Sequence, residues 1–156
     1  MLQKIKVLCV DDNFISRKKF TESLSKENYG VAFQLELATH AQEFLNKLVN
    51  FAPDIVVLDI HLAEDSIDGL GLLAKVKATN PQTIAIMCSN LEDVQTIRTC
   101  LERGADDYIA KSYDTGTLVL RLMKAFQLGN LQHGSKLSHA QGIEAGYAGQ
   151  TMRRIA

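Results

Sequence analysis

Three aspartates, a serine and a lysine stand out because each follows a short apolar run. Asp11 and Asp12 follow IKVLCV (5–10), Asp59 follows IVVL (55–58), Ser89 follows IAIMC (84–88), and Lys111 follows DDYIA (106–110). Gathered in one pocket, three carboxylates repel one another, so the cluster must take up protons or hold a cation. Hard, partly hydrated oxygen ligands of this kind suit Mg²⁺. A carboxylate is also a nucleophile able to form an acyl phosphate. Phosphoryl transfer onto Asp59 needs positive charge against the moving oxygens, which a bound cation on the acidic side and Lys111 on the other supply. The Ser89 hydroxyl is placed to donate to a further oxygen. Singly, each residue has a plainer explanation. An acidic pair after a strand often caps the next helix, an aspartate closing a strand often serves a turn, and a lone lysine is usually solvated. Five such residues at four strand ends point instead to a site.

The elements that must position them are legible as alternating periods. Four of five apolar runs are nearly continuous, as in strands covered on both faces. The remaining one, VAFQLEL (31–37), alternates and suits an edge strand with one wetter face. Between the runs, Ala41, Phe44, Leu45, Leu48 and Val49 make a helical stripe. Val94, Ile97 and Leu101 repeat it, with Gly104 placed to end that helix. Leu118, Leu122, Ala125 and Phe126 mark the last helix, with Gly129 after it; Phe20 and Leu24 mark the first, and Leu72, Leu73 and Val76 the third. Pro53 and Pro81 precede strands. The alternation predicts an α/β fold, a parallel sheet wrapped by five helices. Sites in such sheets lie outside the carboxyl ends of the strands, where the winding reverses. In the doubly wound strand order 2-1-3-4-5 that point falls between strands 1 and 3, so Asp59 would face Asp11 and Asp12.

Composition narrows the function classes. The 156 residues carry a formal net charge of -1, which argues against a dominant basic face for nucleic acid or acidic membrane. No apolar run nears the roughly 18 residues of a membrane helix. The start, MLQKIKVLCVDD, lacks the plan of a signal peptide. Cys9, Cys88 and Cys100 show no paired metal spacing, consistent with a reduced cytoplasmic protein. The last 29 residues hold five of the ten glycines and a charge of +2, so the chain divides into a globular part, 1–127, and a glycine-rich tail, 128–156, flexible or ordered through contact.

The strings VLCVDDN (7–13), APDIVVLDI (52–60), DGLGLL (68–73) and GADDYIAK (104–111), with Ser89 at a strand end, closely resemble the receiver domain of two-component response regulators. The likeness covers residues 4–127 and implies the flavodoxin-like order 2-1-3-4-5. It implies Asp59 as the phosphoacceptor, charged by a histidine kinase or phosphotransfer protein. It implies Asp12 as a direct Mg²⁺ ligand, with Asp11 acting mainly through metal-bound water and the backbone carbonyl of His61 completing the protein ligands. Ser89 is then the switch hydroxyl and Tyr108 the switch aromatic. A receiver labels and unlabels itself and switches a downstream protein; it is not a turnover enzyme. The tail has no room for a helix-turn-helix domain, so direct nucleic-acid contact is not expected, nor is a membrane; a second copy of the chain is a candidate partner.

Four features depart from the family pattern: Ser112 stands where proline usually follows the lysine, Asn90 where a small residue usually follows Ser89, the loop after Asp59 is about two residues longer, and His61 brings an ionisable ring. A dehalogenase-like phosphatase would need an aspartate at position 61, and a flavodoxin a hydroxyl- and glycine-rich loop after the first strand; neither is present. The remaining alternative is a receiver-shaped interaction module that acts without phosphorylation. The chain reads equally as a stand-alone receiver or as part of a longer regulator.

Overall fold

The structure, a computed structural model, describes residues 2–26, 29–63 and 65–132. Strands and helices alternate as β1 (Gln3–Val10), α1 (Phe14–Lys26), β2 (Val31–Ala38), α2 (Ala41–Phe51), β3 (Ile55–Leu58), α3 (Gly69–Thr79), β4 (Ile84–Ser89), α4 (Val94–Glu102) and β5 (Asp107–Ala110). A fifth helix, α5, begins at residue 115 and is helical through residue 132. The chain divides into two units, Met1–Phe126 and Gln127–Ala156; residues 127–132 are the described part of the second.

All five strands are parallel in the order β2-β1-β3-β4-β5. Strand β2 lies at an edge, as its alternating pattern predicts. Side chains on successive strand residues point to opposite faces, and the sheet uses this to build two cores. Leu8, Val10, Val56, Leu58 and Met87 face Phe44, Leu48, Leu72, Leu73, Val76 and Cys100 of α2, α3 and α4. Ile5, Val7, Cys9, Ile55, Val57, Ile86 and Cys88 face Phe20, Leu24, Leu118 and Leu122 of α1 and α5. Burying each such side chain is worth about 1.5–3 kcal/mol, and in the central strands β3 and β4 polar residues are held off until the strands end.

The helices are capped by residues outside the candidate site. The Ser16 N–H donates to Asn13 Oδ1 at 2.9 Å, Asp68 and Asp93 cap α3 and α4, and Asp114 Oδ1 accepts from the Thr117 N–H. Asp11, Asp12, Asp59 and Ser89 are therefore free of the capping duty that each might have served. Gly104, at φ 102°, follows α4 in a left-handed conformation that suits glycine.

Three expectations need correction. Val49 on α2 and Val94 on α4 are 71% and 80% exposed, and Leu101 is also exposed. Helix α4 meets the core instead through Cys100 and the partly buried Ile97. Gly129 does not end the last helix, which continues through residue 132. In the tail, Ser138 and Gln141, whose spacing fits a capping-box start, and the apolar residues Ile143, Tyr147, Met152 and Ile155, which would need an apolar surface to be ordered, lie outside the described residues. Among the described residues no helix is long and apolar enough to cross a membrane.

Candidate functional site

The sheet ladder carries the site residues into place. Beyond the pair Val10↔Leu58, the Asp59 N–H donates to the Val10 carbonyl and the Asp11 N–H to the Ala38 carbonyl. The Lys111 N–H donates to the Ser89 carbonyl at 2.9 Å. Backbone bonds of the sheet thus fix three of the four chain segments that meet here. Asp11 and Asp59 share the strand parity of Cys9 and Val57 and line one cavity with them, on the α1 and α5 side.

Carboxylate oxygens of Asp11, Asp12 and Asp59 lie within 4.8 Å of one another. Lys111 Nζ donates to Asp59 Oδ2 and to Asp11 Oδ2, both at 2.8 Å. The remaining oxygens are ordered by backbone donors: Asn13 N–H to Asp11 Oδ1 at 2.8 Å, Ala63 N–H to Asp12 Oδ2 at 2.8 Å, and His61 N–H to Asp59 Oδ1 at 3.3 Å. Asp11 and Asp59 are buried, while Asp12 faces solvent. Burial pushes the Asp59 carboxyl above its ordinary range, although Lys111 pulls it back. For Lys111 burial acts downward, yet its bonds to Asp11 and Asp59 prevail and raise it above the usual lysine value. Its ammonium stays charged at any ordinary pH. Three carboxylates against one ammonium leave two negative charges in excess, which a divalent cation with a preference for oxygen would balance; the donor set fits Mg²⁺.

Ser89 and Tyr108 are buried nearby but are engaged with each other's surroundings, not with the carboxylates. The Ser89 Oγ accepts the Leu91 N–H at 3.3 Å, and the Tyr108 hydroxyl donates to the Leu91 carbonyl. Leu91 therefore links the two, a role that its apolar side chain gave no sign of in the sequence. Burial pushes the Tyr108 phenol up, with the Ser89 hydroxyl drawing it partly back. His61 and Asn90 are exposed. Among the described residues the peptide bonds, Lys111–Ser112 included, are trans. The thiols behind the site are inert near neutral pH: burial pushes Cys88 up to about 12 and Cys9 up as well.

The sequence profile of the response regulator receiver domain matches residues 7–123, most of the chain. The chain belongs to this family. As a receiver of two-component signalling it is 31% identical over 121 residues to the chemotaxis protein CheY of Listeria monocytogenes, covering 78% of this chain and 98% of that one. It is 33% identical over 110 residues to a protein-glutamate methylesterase/protein-glutamine glutaminase of Geobacter sulfurreducens, covering 70% of this chain but 28% of that protein. Among solved structures, NtrX of Brucella abortus superposes with a TM-score of 0.79 at 28% identity, over 86% of this receiver and 30% of the NtrX chain. The receiver thus spans under a third of the length of those two larger proteins.

Proposed function

We propose that this receiver accepts a phosphoryl group on Asp59 from a histidine kinase or phosphotransfer protein and, once charged, switches a surface that binds a downstream protein. The observation that carries the reading is Lys111 Nζ, shared at 2.8 Å between Asp59 and Asp11 at the centre of a three-carboxylate cluster. A carboxylate oxygen of Asp59 attacks the phosphorus of the donor, the phosphorus–nitrogen bond breaks, and the imidazole leaves. Lys111 follows the charge, since its bond to Asp59 can pass to a phosphoryl oxygen without leaving Asp11. Asp11, Asp12, Asp59 and the His61 backbone carbonyl would hold Mg²⁺, whose contribution when bound is to offset charge on the phosphoryl oxygens. Burial of Asp59 keeps bulk water from the acyl phosphate.

The switch reading gives Ser89 the new acceptor and Tyr108 the space it vacates, and the surface it alters is that of α4, β5 and α5, helices on which Val94, Leu101 and Leu120 are exposed apolar residues. The receiver acts as a switch and not as a turnover enzyme, within the cytoplasm, with residues 1–127 as the domain and 128–156 as its appendage. Acetyl phosphate with and without Mg²⁺ tests the reading: the wild type should gain one acid-stable, hydroxylamine-labile phosphoryl group only with the metal, and Asp59→Asn none. Normal labelling of Asp59→Asn would move the acceptor elsewhere. No labelling of the wild type would favour an interaction module that works without phosphorylation.

A further inference from the structure

Lys111 opens the loop between β5 and α5, which is tied to β4 by the Lys111 N–H bond to the Ser89 carbonyl and towards α4 by the Ser112 Oγ bond to Glu92 Oε1 at 3.2 Å. The residue after it, Ser112, is exposed, and Lys111, Lys19 and Tyr113 line, with Asp11 and Asp59, a cavity of about 20 Å³, room for about one water. On its other side the loop is held from α1. Lys19 Nζ donates to the Lys111 carbonyl at 2.8 Å, and the same ammonium stands 3.9 Å from the centroid of the Tyr113 ring. One turn further along α1, the buried Ser23 Oγ lies 3.3 Å from Thr115 Oγ1, at the first residue of α5. Helix α1 therefore grips residues 111, 113 and 115 from one side. Among the described residues Lys19 forms no ion pair, so its charge is spent on a carbonyl dipole and an aromatic face, each of which favours a cation.

We propose that Lys19 is a positioning residue for phosphoryl transfer: by holding the Lys111 carbonyl and the Tyr113 ring together, it sets where Lys111 Nζ stands relative to Asp59 and Asp11. The effect on transfer rests on Asp59 being the acceptor; the contact itself does not. A misplacement of about 1 Å at a reacting centre costs up to roughly a hundredfold in rate, and Lys111 Nζ must reach Asp59 and Asp11 at once.

Lys19 is exposed, so its replacement leaves the core untouched. The test compares wild type, Lys19→Met, which keeps length but loses charge and donors, and Lys19→Arg, which keeps both. Labelling by acetyl phosphate at saturating Mg²⁺ is read beside the ¹³C shift of the Lys111 carbonyl and the thermal melt. Lys19→Met should slow labelling by roughly ten- to a hundredfold and move the Lys111 carbonyl resonance, and Lys19→Arg should return both towards wild type. A Lys19→Met protein that labels at the wild-type rate overturns the proposal. So does one whose Lys111 carbonyl resonance stays in place, whatever its melt does. A wild type that takes up no phosphoryl group defeats the acceptor reading alone, and the carbonyl shift then still decides whether Lys19 holds the loop.

Discussion

Gly69, the first residue of α3, leaves no room for a side chain beside Asp59. A Cβ placed there would meet the Asp59 carbonyl oxygen and lie 2.7 Å from the Asp59 carbonyl carbon and 2.8 Å from Ile60 Cα, all backbone atoms that cannot swing aside. Its N–H also donates to the Ile60 carbonyl at 2.9 Å, so α3 is bonded to the segment that follows β3. Gly69→Ala should cost about 1–3 kcal/mol, as overpacking does, read as a lower urea midpoint, and should slow labelling of Asp59 because the shift is forced on its own backbone. Wild-type stability would mean that α3 moves freely, against the close packing seen here. The sequence displayed this glycine only as one letter of DGLGLL. Its clash is with a residue ten positions earlier, and no local rule reports that. Asn13 is a similar case: it takes the cap of α1 and thereby frees Asp11 and Asp12, yet beside two acids it drew no notice. Asp11, Asp12, Asp59 and Lys111 were legible together because charges that close several apolar strands of one parallel sheet meet at its carboxyl edge.

Between β4 and α4, Leu91 is held from both sides, its N–H by the Ser89 hydroxyl and its carbonyl by the Tyr108 hydroxyl. A phosphoryl group on Asp59 changes this loop only if some contact differs between the charged and uncharged states. The Ser89 hydroxyl provides that difference, since it cannot serve Leu91 and a phosphoryl oxygen with the same orientation. Ser89→Ala should therefore still be labelled on Asp59, while the chemical-shift changes that labelling produces in residues 91–122 shrink strongly. Equal shifts in wild type and Ser89→Ala would remove Ser89 from the coupling. The phase of α4 was the least legible part of this element. In a helix of nine residues, Val94, Ile97 and Leu101 define a face only loosely, and the side chain that is fully buried, Cys100, is one that an aliphatic stripe leaves out. The end of α5 failed for a related reason: Gly129 lowers helix propensity by about 1 kcal/mol, which does not stop a helix already started on buried Leu118, Val119 and Leu122.

For the molecule as a whole, the cluster is a cost that a cation relieves. An acid whose folded-state value lies above its unfolded one binds more protons when folded, so stability falls as pH rises through that interval; Asp59 is such an acid, and its ionised form at neutral pH weighs against the fold. Lys111 offsets part of the repulsion but leaves two negative charges in excess. A divalent cation that binds only the folded cluster should stabilise by roughly 1.4 kcal/mol when present at ten times its dissociation constant, a rise in melting temperature of roughly 3–6 °C for a chain of this size. Asp12 is the residue at which to separate repulsion from binding, because it is exposed and its bond from the Ala63 N–H can be kept by an asparagine carbonyl. Asp12→Asn in a chelator should melt at or above the wild type, by up to roughly 1 kcal/mol, since removing a like charge at a functional site commonly stabilises. Added Mg²⁺ should then raise its melting temperature far less than that of the wild type, so that the order of the two proteins reverses with metal. An equal rise in both would show that Asp12 is no ligand, and a lower melt in chelator would show that its charge supports the fold instead of straining it.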